Sequence, residues 1–232
     1  LSRSGFENGW VVVRKLSGDA FGAYGVVNDN GTNDGSFLDP VVEAPPRARL
    51  VVPVLVETPA FRTELVLANR GTSPAVLTLT YRESLAPELG AGGPVTLTLN
   101  PREQRIVPEA LRALRGLGLP VGVEGAASYA GSLVVTAAGI AEPRDLFAAA
   151  RVASLSPATG SFGVFLPGLP DGATASAEAW VTGLRSDAES RSNVAVLHAG
   201  DAGAPPMTLQ VQAFDGERGG AAAGSPATVT LE

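Results

Sequence analysis

The sequence has no cysteine, one histidine, one methionine and a single lysine, Lys15, among its 232 residues. The absence of cysteine excludes a disulfide framework and any metal site built from thiolates. One histidine is too few for a histidine-rich zinc site. Aromatic residues are also scarce, at 6 %, so a broad stacking platform for sugars is not indicated. These absences point away from metal-based and thiol-based catalysis.

Basic residues are fewer than acidic residues. The formal net charge is −6, from 17 basic and 23 acidic residues. Nucleic acids and anionic membrane surfaces are bound by basic surfaces, so neither partner is expected. The least charged stretch, residues 125–141, is too short and too rich in glycine, serine and threonine for a membrane span, and we expect no membrane insertion. We also expect the start at Leu1 to be a processed end.

Short runs of alternating apolar and polar residues dominate what is present. A period of two is typical of strands with one solvated face, and it occurs at Val76–Tyr81, Val95–Leu99 and Thr208–Gln212. Content of β-branched residues predicts further strands at Trp10–Val13, Leu50–Val56, Glu64–Ala68, Leu133–Thr136, Val164–Leu166 and Val194–Leu197. Recurrent Asn-Gly and Asp-Gly pairs predict tight turns between them. The pattern predicts an all-β protein of antiparallel sandwiches.

One short helix is predicted at residues 108–115. Pro108 stands near its start, Glu109 lies in the first turn, and Gly116 follows the last arginine. This order matches the preferences of helix ends. We expect the helix to close one end of a sandwich.

A long internal repeat links the two ends of the sequence. Phe61–Gly71 reads again as Ser190–Gly200, and Gly93–Asn100 reads again as Ser225–Glu232. The continuation of the second copy is found at the beginning of the chain. There, Phe21–Val27 resembles Leu146–Val152, and Gly35–Phe37 resembles Gly160–Phe162.

The repeat predicts two immunoglobulin-like antiparallel β-sandwich modules. Residues 47–165 form a complete module, residues 166–232 hold the opening strands of a second, and residues 1–46 hold closing strands that end at a Pro45–Pro46 linker. The closing strands can dock on the same chain, on the next chain or on an adjoining repeat of a longer polypeptide. We expect completion between successive units, through Trp10, Val11, Val12, Val13, Tyr24, Val26 and Val27.

Residues 28–35 combine asparagine and aspartate with glycine turns. Clustered side-chain oxygens can bind Ca²⁺, and the candidate ligands are Asp29, Asn30 and Asp34. The bidentate glutamate of a calcium loop is missing, since Val41 occupies the twelfth position counted from Asn30. We favour a plain turn over a calcium site, and no other cofactor is indicated.

No catalytic residues are identified. His198 aligns with Asn69 in the repeat, and we expect a polar residue at the end of a strand rather than a catalytic base. Carboxylate pairs of the glycosidase type could be sought among the loop and helix glutamates, but no motif surrounds Glu83, Glu88, Glu103, Glu109 and Glu124. Arg62 and Arg191 recur before equivalent strands and are expected to bind carboxylates or carbonyls. The chain is therefore not expected to be an enzyme.

Three segments resemble a known family of proteins. The pattern Phe61-Arg62-Thr63-Glu64-Leu65-x-Leu67-x-Asn69, the segment Gly183–Ala188 ahead of Arg191–Asn193, and Ala23–Asn30 are similar to repeated β-sandwich modules of large secreted proteins of environmental bacteria. The resemblance implies export, a location outside the cell or at its surface, and a surface or matrix role. It supplies no catalytic residues.

Two functions remain in view. The favoured one is a structural subunit or repeat of an extracellular fibre or surface array, a homopolymer or a set of adjoining repeats assembled head-to-tail by β-strand complementation. The alternative is a non-catalytic carbohydrate- or surface-binding module of a larger secreted protein. A broad exposed aromatic face would favour the binding module, whereas strand pairing between chains would favour the array.

Overall fold

Antiparallel β-strands make up most of the regular structure, so the all-β prediction is confirmed. The computed structural model describes residues 8–41, 47–86, 93–154, 160–201, 203–217 and 219–231. The predicted Pro45–Pro46 linker lies outside these residues. The chain divides into two units, Leu1–Thr174 and Ala175–Glu232. The predicted module limits, residues 1–46, 47–165 and 166–232, stay predictions.

The first unit contains a separate hairpin and one large sheet. The hairpin consists of β1 (Gly25–Asn28) and β2 (Gly35–Leu38). The sheet has nine strands, which are β3 (Arg49–Glu57), β4 (Phe61–Asn69), β5 (Ala75–Glu83), β6 (Val95–Leu99), β7 (Gln104–Val107), β8 (Tyr129–Ala138), β9 (Leu146–Ser154), β10 (Gly163–Pro167) and β11 (Leu169–Pro170). Short 3-10 helices occupy Pro143–Asp145 and Asp171–Ala173.

The large sheet consists of two groups of strands. The strand order is β10-β9-β4-β3-β8-β5-β6, with β7 also paired to β4 and β11 also paired to β3. Strands β3 and β4 pair only at Glu57 and Arg62. One group therefore contains β3, β5, β6, β8 and β11, and the other contains β4, β7, β9 and β10. The pair Glu57–Arg62 is the only strand pairing between the two groups in the described residues.

Both groups contribute to one hydrophobic core. Alternate residues of each strand are buried because successive side chains of a strand point to opposite faces. The core includes Leu50, Leu55, Leu65, Leu67, Leu77, Leu79, Leu99, Tyr129, Leu133, Val135, Leu146, Ala148 and Ala150. Complete burial of one such large apolar side chain stabilises the folded state by roughly 1.5–3 kcal/mol.

The predicted short helix is present as α1 (Ala110–Gly116). It begins after Glu109, whose φ of 49° is left-handed and so cannot continue a right-handed helix. Leu111 and Leu114 are buried in the core, and the guanidinium of Arg115 donates to the Glu57 carboxylate at 2.8 Å. No helix in the described ranges is long and apolar enough to cross a bilayer.

The second unit has strands but no buried residue among those described. Strand β12 (Met207–Val211) pairs with β15 (Ala227–Leu231), and β13 (Phe214–Asp215) pairs with β14 (Ala221–Ala222). A single bridge joins Ser186 and Arg191. Every described residue from 175 to 231 is exposed or half-buried, so this unit lacks the core that the first unit has.

Two predicted strands are wrong. Trp10–Val13 and Val194–Leu197 have the composition of strands but no strand conformation. A β-strand is stabilised by hydrogen bonds to a neighbouring strand. Neither segment has such a neighbour within the described chain, so propensity alone does not order them as strands.

Candidate functional site

The repeat reappears in three dimensions as an identical pairing register. In the first unit, Ala75 pairs with Leu99 and Leu79 pairs with Val95. In the second, Met207 pairs with Leu231 and Val211 pairs with Ala227. Every residue of the β12–β15 ladder is therefore 132 positions beyond its counterpart in β5–β6, the difference between 207 and 75. The two hairpins are structural copies.

A second copied feature is the turn that precedes the repeated arginine. The pair Glu57–Arg62 recurs as Ser186–Arg191, an offset of 129, the difference between 191 and 62. Its closing hydrogen bond recurs as well, from Thr58 N to the Phe61 carbonyl at 3.0 Å and from Asp187 N to the Ser190 carbonyl at 2.9 Å.

Side chains of these two turns play matching roles. Thr58 Oγ1 accepts from the amides two and three residues later, and Asp187 Oδ1 does the same at 2.9 and 2.6 Å. The Arg62 guanidinium donates to the Thr58 and Phe61 carbonyls. Arg62 therefore has the structural role that the sequence predicted.

The lone histidine copies the hydrogen bonds of its aligned asparagine. Asn69 Oδ1 accepts from Gly71 N at 3.0 Å, and its Nδ2 donates to the Ser73 carbonyl at 2.7 Å. His198 Nδ1 accepts from Gly200 N at 3.0 Å, and its Nε2 lies 3.0 Å from the Pro205 carbonyl. This pattern requires the proton on Nε2. His198 thus stabilises the turn that follows residues 190–198.

Apolar positions buried in the first unit are exposed at their counterparts in the second. Leu65 is 0 % exposed, whereas Val194 is 48 % exposed. Leu67 and Val196 show the same contrast, as do Leu79 and Val211. In the first unit, β4 pairs with β7 and β9, and β5 pairs with β8. The described residues from 175 to 231 contain no counterpart of β7, β8 or β9, so the copied strands lack those neighbours within this unit.

The β1–β2 hairpin resembles the β9–β10 hairpin, and a glycine opens the second strand of each. Asn28 pairs with Gly35, and Ala153 pairs with Gly163. The register equates Gly35–Leu38 with Gly163–Leu166. It does not support the alignment of Gly35–Phe37 with Gly160–Phe162 that sequence similarity predicted, because the segment between β1 and β2 is shorter than that between β9 and β10.

The residues expected to make the assembly contact are exposed. Five of them are apolar valines, and Tyr24 stacks on Phe37 with ring centroids 5.4 Å apart. Val26 and Val27 lie on β1, Tyr24 directly precedes it, and the other four lie in the irregular segment before it. Trp10 is half-buried. The other six are exposed, namely Val11, Val12, Val13, Tyr24, Val26 and Val27.

Within the first unit, the loop considered for calcium attaches this hairpin to the segment that leads into β10. Asp29 Oδ2 accepts from Ser161 N at 3.1 Å and from Ser161 Oγ at 3.0 Å. Asp34 Oδ2 accepts from Gly163 N at 2.8 Å. Arg151 donates to Ser36 Oγ and Ser161 Oγ, each at 3.0 Å. The contacts of Asp29, Asp34 and Ser36 with Ser161, Gly163 and Arg151 join residues more than a hundred positions apart, which is why sequence reasoning missed Ser36, Arg151 and Ser161.

The electrostatics of the loop follow from the same contacts. Backbone amides of Thr32, Gly31 and Ser161 donate to the Asp29 carboxylate and hold its pKa well below the usual value of 3.8. Asn30 lies exposed at the tip of the loop. Among the described residues no group of three His, Cys, Asp or Glu could hold an ion. Calcium binding by Asp29, Asn30 and Asp34 stays a prediction.

The glutamates weighed as catalytic carboxylates have structural contacts. Glu83 Oε1 accepts from the amides of Leu85 and Ala130 at 2.9 and 3.0 Å. Glu103 pairs with Arg105 at 2.6 Å. Glu109 and Glu124 both pair with Arg112. Glu88 lies outside the described residues.

Comparison of the chain with protein-family models, with curated proteins and with solved structures found no match. Function is therefore inferred from the sequence and the geometry of the chain.

Proposed function

We propose that the chain is a non-catalytic structural repeat of an extracellular or surface-exposed bacterial array. Successive copies assemble head-to-tail by β-strand complementation. Each complete module is an immunoglobulin-like β-sandwich, a description supported by the two strand groups that share one core in the first unit.

The observation that carries the proposal is a pair of incomplete copies of one module. Residues 186–231 reproduce the turn and the hairpin register that open the first unit, yet none of their described members is buried. Residues 25–38 reproduce the hairpin that closes it. Exposed apolar faces and open strand edges favour pairing with another segment.

The beginning of a second copy can supply what the second unit lacks. The hairpin β1–β2 corresponds to β9–β10, and the run Trp10–Val13 resembles Leu133–Thr136 of β8 at an offset of 123, the difference between 133 and 10. In the first unit, β8 lies between β3 and β5, and β9 lies beside β4. A donor from the next copy would therefore bring the strands that the copied β4 and β5 require.

Such a contact is heterologous, because the donor and acceptor are different surfaces of the chain. Heterologous contacts that do not close into a ring propagate into a filament. The same geometry serves adjoining repeats of a longer polypeptide. The spacing between modules is also the same in both places. Strand β2 ends eleven residues before Arg49, and β10 ends eleven residues before Glu178, which is the counterpart of Arg49 at an offset of 129.

A structural role is also supported by the polar side chains weighed for catalysis. His198 stabilises a turn, and Glu83, Glu103, Glu109 and Glu124 bind amides or arginines of the fold. We propose a location outside the cell on the resemblance to secreted modules.

A second candidate function has one observation in its favour. Trp180 is 73 % exposed and stacks on Phe214 with ring centroids 6.4 Å apart, and exposed aromatic rings bind sugar faces. If the chain is a carbohydrate-binding module, Trp180→Ala abolishes retention on immobilised polysaccharide and leaves assembly unchanged. If it is only a structural repeat, neither protein is retained.

Deletion of residues 1–40 tests the array. We expect the full chain to form linear filaments whose length increases with concentration, measured by sedimentation and negative-stain imaging. The deleted chain keeps the acceptor and lacks the donor, so it forms no filaments and shortens those of the full chain when added. A chain that lacks only residues 1–7 is the matched control. Filaments of normal length from the chain without residues 1–40 would overturn the proposal.

A further inference from the structure

We infer that the segment Arg191–Leu197 binds residues 22–28 of a second copy as an antiparallel strand in one defined register. In this register Asn193 lies opposite Val26, and Ala195 lies opposite Tyr24. The inference rests on the proposed head-to-tail assembly and adds the residues that meet and their alignment.

The register follows from the β4–β9 ladder of the first unit. There, Glu64 pairs with Arg151 and Val66 pairs with Ala149. The acceptor segment is β4 shifted by 129 positions, the difference between 193 and 64. The donor is β9 shifted by 125, the difference between 151 and 26. When the β4–β9 ladder is transferred to the two segments, every donor residue faces one acceptor residue. The residue numbers of each facing pair add up to 219.

Independent hydrogen bonds establish the acceptor offset. The turn before β4 recurs at Asp187–Ser190 with the same closing bond, and the bonds of Asn69 recur at His198. Both ends of the segment are therefore copied at an offset of 129. The segment between them then has the length of β4, without insertion or deletion.

The donor offset follows from the sequence match of Phe21–Val27 with Leu146–Val152, and the hairpin register agrees with it when Gly35 is equated with Gly163. Asn28 occupies the place of Ala153 because each pairs with the glycine that opens the following strand, Gly35 or Gly163. This places β1 where β9 stands, with β2 on one side as β10 is on one side of β9. The other side of β9 is occupied by β4.

Side-chain size along the donor fits the same register. Leu146, Ala148 and Ala150 of β9 belong to the core, and Val152 lies on the same face of the strand by alternation. Along this face the side chains are large, small, small and β-branched. The donor repeats this order as Phe21, Ala23, Gly25 and Val27. In the first unit the small residues lie opposite leucines, Ala150 opposite Leu65 and Ala148 opposite Leu67.

The transferred register preserves this complementarity. Gly25 comes opposite Val194, and Ala23 comes opposite Val196. A shift by one residue would turn the exposed Phe21 and Val27 away from the apolar face of the acceptor. Size and polarity therefore select the same alignment as the hydrogen bonds.

The donor strand β1 and the acceptor segment each have an edge that pairs with no strand in the described chain. In the described chain β1 pairs only with β2, and residues 192–197 belong to no strand. Arg191, at the first position of the acceptor, is the only charged residue in the two segments, so no charge lies among the apolar positions that the contact would bury. One donor strand therefore fits one acceptor edge.

Engineered disulfides test the register, and the natural absence of cysteine makes each introduced thiol unique. One full-length chain carries Asn193→Cys and a second, of different mass, carries Val26→Cys; a second matched pair is Ala195→Cys with Tyr24→Cys. The four positions are exposed, so the variants should fold as the parent does. Opposite residues of an antiparallel pair have Cα atoms about 4.5–5.5 Å apart, within the range of a disulfide.

The mismatched control is Asn193→Cys with Gly22→Cys. Gly22 points to the same face as Val26 but is four residues away, about 13 Å along the strand. We expect mixed chains of each matched pair to link roughly a hundredfold faster than the mismatched pair, because a docked segment has an effective concentration near millimolar. Linkage is read by non-reducing electrophoresis, and assembly is followed in parallel by sedimentation.

Each outcome separates the register from the assembly. Matched linkage between chains supports both. Filaments with linkage in the mismatched pair, or in neither, would overturn the register and leave the head-to-tail array standing. Absence of association together with rapid closure inside a chain that carries both matched cysteines would show docking within one chain, and would overturn both.

Discussion

The carboxylate of Asp29 helps to attach the β1–β2 hairpin to the segment that leads into β10. It accepts hydrogen bonds from Ser161 and from the amides of its own loop. Gly160 is required beside it, because a Cβ at that position would lie 2.1 Å from Asp29 Oδ1 and its φ is +104°. The loop and the 160–163 segment are therefore shaped for each other.

We predict that Asp29→Asn loosens the hairpin, because an amide cannot accept from all the donors that the carboxylate binds. The measurement is hydrogen exchange of residues 25–38, which should become faster. Asp39→Asn, at an exposed position outside this contact, is the control and should not change it. Equal exchange in both variants would show that the carboxylate does not hold the hairpin.

The same residue predicts a pH dependence. The pKa of Asp29 is lower in the folded chain than its usual value of 3.8 because backbone amides of Thr32, Gly31 and Ser161 stabilise the charged form. Its contribution to docking is therefore complete above pH 3.8 and decreases as pH falls below that value. Exchange of the hairpin should be constant from pH 7 to about pH 5 once corrected for the intrinsic rate.

His198 provides the test of the non-catalytic assignment. We predict that His198→Asn leaves folding and assembly intact, because asparagine makes both equivalent bonds at position 69. His198→Leu removes them and should lower the stability of the turn by roughly 0.5–1.5 kcal/mol per bond. Thermal unfolding and filament formation are the measurements. Loss of a measurable turnover in His198→Asn would contradict the assignment.

Among the strands, two segments with similar sequence patterns have different structures. Leu65 of β4 is buried, whereas Val194 at the equivalent position is exposed in the second unit. The difference does not come from local sequence, since the turns that flank both segments make the same hydrogen bonds. It comes from the strands available on either side.

This contrast gives a matched pair of substitutions. Leu65→Ala should lower the free energy of unfolding of the first unit by about 2–5 kcal/mol, as expected for a buried leucine. Val194→Ala should leave the dilute monomer within about 0.5 kcal/mol of the parent and weaken filaments. Denaturant unfolding and sedimentation measure the two effects. A large effect of Val194→Ala on the dilute monomer would show that this position is already packed within one chain.

The availability of a pairing partner also decides how far the sequence could predict the fold. Alternation in Val76–Tyr81 and Val95–Leu99 is confirmed as β5 and β6 because those strands carry their own hairpin partner. Trp10–Val13 also has strand composition but forms no strand, because no strand pairs with it in the described chain. Propensity is local, whereas pairing depends on distant segments. The docking of Ser161 onto Asp29 has no local signal either.

At the scale of the whole molecule, charge opposes association of copies. Each chain carries a net charge of −6, so identical copies repel each other at low ionic strength. The screening length falls from about 30 Å at 0.01 M salt to about 8 Å at 0.15 M. We predict that filaments lengthen over this range, measured by sedimentation, and that an uncharged osmolyte at equal osmolarity has a smaller effect. Shorter filaments at the higher salt would indicate that charge pairs, rather than apolar strands, hold the copies together.

Hydrogen exchange of residues 191–197 tests the head-to-tail completion most directly, with residues 62–68 of β4 as the internal reference. In a dilute monomer the reference amides are protected by pairing with β7 and β9. Residues 191–197 of the same monomer should exchange freely. In assembled material these residues should become protected as β4 is. Filaments in which residues 191–197 still exchange freely would contradict the account, and so would equal protection at every concentration.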